Sequence, residues 1–149
     1  MVAAMILAVS MEAWAQKPDF SGTWTLDPSG SPAGGGDRGD GGSVLGNGPA
    51  TVKQTAEALT IQRTIGGDTA TLTLQLDGTE SRNVLEGSNG RPADSLSIVK
   101  WDGPTLTIVT KQEADGKLAE ASEAWTVAGN TLTVKTVSGR GKENRIYKK

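Results

Sequence analysis

The side chains that could do chemistry in this chain are limited, because its 149 residues include neither Cys nor His. Thiolate and imidazole metal sites, cysteine nucleophiles and histidine bases are therefore excluded. An enzyme would have to use carboxylates, and Glu113, Asp115, Glu120 and Glu123 lie beside predicted turns. Carboxylates at turns are usually solvated and keep ordinary pKa values. We predict no catalytic residue, no metal and no cofactor, and a protein that is not an enzyme.

Arg145 and Tyr147 are two residues apart near the end of the chain and would point to the same face of a β-strand. If that face is inward, the buried guanidinium needs a partner, and a ligand carboxylate could bind it through two hydrogen bonds. In the structural alternative, Arg145 stacks on the indole of Trp24 and Tyr147 packs at a rim. We predict both residues as ligand-binding and keep the structural alternative open.

Three tryptophans lie at predicted strand ends. Trp101 and Trp125 are beside hairpin turns, where they could line the mouth of a cavity or form ordinary wall residues; we predict ligand contact for both. Trp24 is in the first strand, and we predict that it closes one end of the fold. Gly22 would then permit close approach of the backbone beside that indole.

Charge excludes one class of partner. Lys and Arg number 15 and Asp and Glu number 17, which gives a net charge of −2 and no basic surface for nucleic acid. Three basic residues, Arg63, Arg82 and Lys100, lie in strands with apolar neighbours. We expect these three side chains to point outward into water.

Alternation of apolar and polar residues predicts ten short β-strands. Turn pairs such as Asp102-Gly103 and Gly129-Asn130 separate many of them and supply the positive φ angles of tight hairpins. Leu96 and Ile98 alternate in the sixth strand. The predicted strands are residues 23–26, 51–55, 59–65, 70–76, 81–85, 95–101, 105–112, 117–127, 131–137 and 142–148.

Most of the connections are short, so strands that are consecutive in the sequence should pair in antiparallel fashion. Closing such a meander removes its exposed edges. We therefore predict an all-β, antiparallel up-and-down barrel of eight to ten strands, with a β-sandwich as the alternative. Residues 28–49 contain nine Gly and three Pro. They predict one long flexible loop with too little apolar surface to pack.

The N-terminus has the pattern of a targeting segment. Its apolar run is too short for a membrane span of about 20 residues, and Ala13-Trp14-Ala15 has the form of a signal-peptidase site. We predict a signal peptide at 1–15, followed by a single barrel domain at 16–149 in the periplasm or outside a bacterial cell. The alternative is a buried N-terminal strand or helix.

Both ends of the domain resemble the calycin superfamily, which comprises lipocalins and fatty-acid-binding proteins. Residues 19–26, Asp-Phe-Ser-Gly-Thr-Trp-Thr-Leu, are similar to the first strand of those proteins, and Arg-Ile-Tyr-Lys at 145–148 is similar to their last. The chain resembles small exported bacterial proteins of lipocalin-like type more closely than it resembles fatty-acid-binding proteins. The resemblance implies a ligand-binding barrel in which the Arg-x-Tyr pair faces the cavity. The glycine-rich residues 28–49 depart from it, because fatty-acid-binding proteins have a helical lid there.

These observations predict an exported lipocalin-like barrel that binds a small, mostly hydrophobic molecule. The mature chain would have no membrane span and would not bind nucleic acid; its oligomeric state is not predicted. Two other functions stay open. The first is an envelope structural or interaction module whose barrel is filled with its own side chains. The second is a small carboxylate-based hydrolase or isomerase.

Overall fold

A computed structural model describes residues 17–29, 44–46, 49–65, 67–86, 92–114, 116–139 and 141–149. The predicted signal peptide at 1–15 and most of the glycine-rich residues 28–49 lie outside these ranges. Ten strands are present: β1 Gly22–Leu26, β2 Ala50–Gln54, β3 Ala58–Ile65, β4 Asp68–Gln75, β5 Ser81–Glu86, β6 Pro92–Asp102, β7 Thr105–Ala114, β8 Lys117–Ala128, β9 Thr131–Ser138 and β10 Gly141–Lys148.

Each predicted strand is confirmed, because alternation of apolar and polar residues is typical of a strand with one face towards a core. In β9, Leu132 and Val134 are buried while Lys135 is exposed. The predicted turn glycines have the conformation that tight turns need: φ is +57° at Gly103 and +59° at Gly129.

All ten strands belong to one antiparallel sheet, in the order β4-β3-β2-β1-β10-β9-β8-β7-β6-β5. The first and last strands pair through Thr25 with Lys148 and Leu26 with Tyr147. This pairing bends the meander into a nearly closed barrel and confirms the predicted fold over the sandwich.

The seam of the barrel lies between β4 and β5, the two ends of the strand order. Side chains of β5 bridge it. The Asn83 carboxamide accepts a hydrogen bond from the Thr73 backbone N–H at 3.0 Å and donates one to the Thr73 carbonyl at 2.9 Å. The Ser81 hydroxyl accepts from the Gln75 N–H at 2.8 Å. Side chains thus replace part of a missing backbone ladder.

In β6, the side chains that face the interior are not the ones that the apolar alternation of the sequence indicates. Ser95, Ser97 and Val99 are buried, whereas Leu96 and Ile98 are half-buried on the other face. The reason is the hydrogen-bonded register, in which Val99 lies opposite the buried Ile108 of β7. Since side chains alternate with a period of two, that pairing places the serines inside.

The connection from β1 to β2 leaves and re-enters at one end of the barrel, where Leu26 ends β1 and Ala50 begins β2. We call this the loop end. Residues 17–21 precede β1 and therefore lie at the opposite end. Among the residues that the structure describes, no helix is long and apolar enough to cross a membrane.

The seam generates a prediction. Asn83→Ala removes both hydrogen bonds to Thr73 and is expected to lower the free energy of unfolding by about 1–2 kcal/mol. The amide hydrogen of Thr73 should exchange with solvent faster in the variant. Arg82→Ala, at the exposed neighbouring position, is the control and should change stability by less than about 0.5 kcal/mol. Equal effects of the two substitutions would contradict the bridging role of Asn83.

Candidate functional site

Three charged side chains and one tyrosine, from three strands, are buried inside the barrel. They are Arg63 on β3, Glu123 on β8, and Arg145 and Tyr147 on β10; Glu123 is 2% exposed and Tyr147 is fully buried. Arg63 and Glu123 occupy inward positions among apolar residues of their own strands, such as Leu59, Ile61 and Arg63 along β3, whereas Arg145 and Tyr147 share the inward face of β10 with Glu143. We call these four residues the interior polar cluster.

The interior polar cluster binds the backbone of a short segment of its own chain, Val44-Leu45-Gly46. Glu123 Oε2 accepts a hydrogen bond from the Val44 N–H at 3.2 Å, and Arg63 donates one to the Val44 carbonyl at 3.1 Å. The Tyr147 hydroxyl donates to the Gly46 carbonyl at 2.7 Å. The segment, which we call the inner segment, therefore lies within the barrel.

The inner segment corrects the sequence interpretation of residues 28–49. Val44 and Leu45 were expected to lie in a flexible loop, yet they are 0% and 1% exposed and belong to the hydrophobic core. The physical reason is that two apolar side chains suffice when the backbone groups beside them receive buried hydrogen-bond partners. The prediction for the rest of the loop lies largely outside the described residues.

Glu123 corrects the expectation that the carboxylates are solvated. It lies in the middle of β8 rather than beside a turn, and burial raises its pKa from 4.5 to about 7. The Val44 N–H, the Trp125 indole and the positive charges of Arg145 and Arg63 act in the opposite direction and lower it. Burial dominates because an ionised carboxylate loses its hydration inside the barrel.

The predicted orientation of three basic residues was right for two and wrong for one. Arg82 and Lys100 are exposed, as expected. Arg63 is only 5% exposed and faces the interior, because its strand phase places it with Leu59 and Ile61. Hydrogen bonding to the Val44 carbonyl supplies a partner for the buried guanidinium.

Trp24 is fully buried, and its indole N–H donates to the Phe20 carbonyl at 2.8 Å. The cation over its ring is Lys149, with Nζ 5.0 Å from the centroid, and not the expected Arg145. Strand register explains this, since Leu26 pairs with Tyr147 and Trp24 therefore lies level with Lys149. Arg145 lies about 13 Å further along the strand at about 3.3 Å per residue.

Gly22 is adjacent to the same lysine. Its φ is +142°, and a Cβ atom there would lie 2.6 Å from Lys149 Cε. The close approach that glycine permits is thus to the lysine stem that covers the indole, rather than to a backbone.

Trp101 and Trp125 meet on Phe20, at the end opposite the loop end. Phe20 stacks with Trp101 at a centroid separation of 6.0 Å and packs edge-on against Trp125 at 5.7 Å. Lys17 Nζ lies 5.3 Å from the Trp101 centroid. Trp125 is fully buried and reaches from this aromatic group to Glu123, two residues away on the same face of β8.

A polar strip runs along the inner face of β6 and β7. The hydroxyls of Ser97 and Thr110 are hydrogen-bonded at 3.0 Å, and Ser95 donates to the Asn83 carbonyl at 3.0 Å. Among the described residues, two buried donors have no acceptor within hydrogen-bonding geometry. They are Gln112 Nε2 and Trp125 Nε1. The Trp125 indole is close enough to affect the Glu123 pKa but is not aligned for a hydrogen bond.

Comparison with known proteins supports the fold. Human cRBP IV, a cellular retinol-binding protein, superposes with a TM-score of 0.60 over 89% of this chain and 98% of its own, at 19% sequence identity. The chain therefore shares the barrel fold of that protein. No protein-family model matches the sequence, and no curated protein matches it. Identity at this level extends to the fold and not to particular residues.

The structure brings Arg145 and Tyr147 together with two residues that the sequence analysis did not include in the site, Arg63 and Glu123. A signal for both existed in the sequence. Each charge lies in phase with apolar residues of its own strand, Arg63 with Ile61 and Glu123 with Trp125. The alternation of side chains along each strand was therefore enough to predict that both charged side chains face inward.

The pKa of Glu123 predicts how stability depends on pH. Its folded pKa is above its unfolded value, so the folded state holds the proton more tightly, and the free energy of unfolding should fall as pH rises from about 4.5 through 7. Relative to Glu123→Gln, which cannot titrate, wild type should lose up to about 3 kcal/mol across this window. Urea unfolding of both proteins from pH 4.5 to 8 measures it. Parallel curves would contradict the raised pKa.

A double-mutant cycle tests the cation over Trp24. Trp24→Leu and Lys149→Met should couple by about 0.5–1 kcal/mol, because the lysine loses its aromatic partner in either variant. Trp24→Leu and Arg145→Met should be additive, since register separates these residues. The free energies of unfolding of the single and double variants give both coupling energies. Coupling to Arg145 but not to Lys149 would refute the observed register.

Proposed function

We propose that this protein binds a small, mostly hydrophobic molecule inside its barrel, with a polar group of that molecule held by the interior polar cluster. One observation carries the proposal: Arg63, Glu123, Arg145 and Tyr147 converge within an apolar core. Burying three ionisable groups is costly, and a barrel serving only as a structural unit gains nothing from them that apolar residues would not supply. Sites of this kind combine an apolar lining with a few convergent polar groups.

The cRBP IV likeness supports this proposal only at the level of fold, since barrels of this strand number have room for one small ligand. We assign ligand contact to Arg145, Tyr147 and Trp125 from the sequence hypothesis, and we add Arg63 and Glu123. Trp101 lies further from the cluster, against Phe20. Gly22 and Trp24 are assigned to closure of the barrel, with Lys149 as the third member.

A binding function is favoured over an enzymatic one. Glu123 is the one buried carboxylate among the described residues, whereas acid/base hydrolysis commonly uses two carboxylates that flank the scissile bond. The Glu123 carboxylate also already accepts a hydrogen bond, from the Val44 N–H. The proposal therefore treats Glu123 as a ligand-recognition residue.

A second function has an observation of its own. Val44 and Leu45 fill part of the interior, as a barrel acting only as a structural or interaction module would require. The two functions differ in one measurable respect, because a filled barrel takes up no ligand.

Ligand uptake can be tested with 1-dodecanol, an apolar chain with one polar end. We expect one saturable site, detected by tryptophan fluorescence, and a higher melting temperature. Ala121→Phe, at a buried position on the Glu123 face of β8, should weaken binding by roughly tenfold or more, because overpacking costs about 1–3 kcal/mol. Ser122→Phe, one residue along and on the opposite face, is the matched control. No binding by wild type would favour the filled barrel.

Export belongs to the proposal as well. The pattern of residues 1–15 leads us to propose a mature N-terminus at Gln16 and a periplasmic or secreted protein. N-terminal sequencing of the protein from a periplasmic fraction tests this step, and retention of Met1 there would overturn it.

A further inference from the structure

The interior polar cluster contacts the inner segment only through backbone groups in the hydrogen bonds described above. One side chain accepts from the Val44 N–H, and two side chains donate to the carbonyls of Val44 and Gly46. None of these hydrogen bonds involves the side chain of Val44 or Leu45, so none depends on which residue occupies either position. The arrangement is therefore complementary to an amide N–H with neighbouring carbonyls.

We propose that the interior polar cluster is a binding site for a neutral, apolar amide, such as a short peptide, and that Val44-Leu45-Gly46 occupies this site as an internal ligand. The inference rests on the proposed function and specifies its ligand class. It differs from the sequence hypothesis, in which a ligand carboxylate binds Arg145.

The hydrogen-bonding position at Glu123 favours an amide over a carboxylate. Glu123 presents a carboxyl group to the position now taken by the Val44 N–H, at 3.2 Å. A ligand carboxylate placed there would meet a like-charged group and would have no hydrogen to donate. An amide supplies the donor for Glu123 and the acceptor for Arg63 without adding a charge to the core.

The apolar part of the ligand follows from Leu45. This side chain is 1% exposed and belongs to the hydrophobic core. The site therefore combines recognition of two carbonyls and one N–H with an apolar pocket between them. A peptide with a leucine-sized central residue, or an amide with an alkyl chain, has this combination.

Covalent attachment makes the inner segment a competitor of any free ligand. Gly46 precedes the first residue of β2, Ala50, by four positions, so the segment is held beside its site. Short tethers give effective concentrations of the order of millimolar. A free amide must displace the segment, and its apparent dissociation constant equals the intrinsic constant divided by the fraction of molecules in which the site is free.

The test weakens the internal ligand and leaves the barrel wall unchanged. Leu45→Ala should increase the affinity for N-acetyl-Val-Leu-Gly-amide by roughly tenfold or more, since loss of a buried leucine favours release of the segment. Val44→Pro, which has no N–H to donate to Glu123, is a second variant with the same expected direction. Leu74→Ala removes an equally buried leucine from the wall and should lower stability without increasing affinity.

Three probes, measured by calorimetry at pH 8 in wild type and Leu45→Ala, separate the possible outcomes. The proposal is supported if Leu45→Ala increases the affinity for the peptide amide and for dodecanamide but not for dodecanoate. An increase in affinity for the peptide alone restricts the ligand to peptides. An equal or larger gain for dodecanoate overturns the amide preference while the proposed function stands. Unchanged affinity for all three in Leu45→Ala and Val44→Pro overturns internal occupancy. Binding of none of them, nor of 1-dodecanol, refutes the proposed function itself.

Discussion

The structure depends on one constraint: the charged side chains of two arginines and a glutamate lie inside the barrel, beside its hydrophobic core. Arg63 and Glu123 are almost fully buried, and Arg145 is 9% exposed beside Glu143 at 3.4 Å, so protein groups must supply most of their hydrogen bonds and counter-charges. The inner segment meets part of that need through the Val44 N–H and carbonyl. This explains how a chain so rich in glycine between β1 and β2 holds three consecutive residues at the centre of the molecule.

Closure of the barrel is the second requirement, because it brings β3, β8 and β10 to face one interior. The pairing of β1 with β10 fixes the position of Tyr147, and the register along β8 and β9 places Trp125 opposite Val134. Stability is distributed unevenly around the barrel. Nine strand pairs have backbone ladders, whereas the seam relies on Asn83 and Ser81, so the barrel is expected to open first between β4 and β5.

The sequence predicts the fold well and the site only in part. All ten strands and their order follow from alternation and turn residues, which are local signals. Arg145 and Tyr147 could be assigned to one face for the same reason. Glu123 was missed because it was placed beside a turn, where carboxylates are usually solvated, although it lies on the same face of its strand as Trp125. The inner segment has no local signal: its burial depends on partners that are 19 to 101 residues away in the chain.

The absence of cysteine from the chain permits a direct test of the central claim, that residue 45 lies inside the barrel. Three single-cysteine variants, Leu45→Cys, the exposed Ser29→Cys and the buried wall position Leu74→Cys, can be compared for their rate of reaction with a thiol reagent under native conditions. Leu45→Cys is expected to react roughly a hundredfold more slowly than Ser29→Cys, as local opening of a few kcal/mol requires, and to react faster when N-acetyl-Val-Leu-Gly-amide is added. Labelling of Leu45→Cys at the rate of Ser29→Cys in the absence of ligand would contradict it.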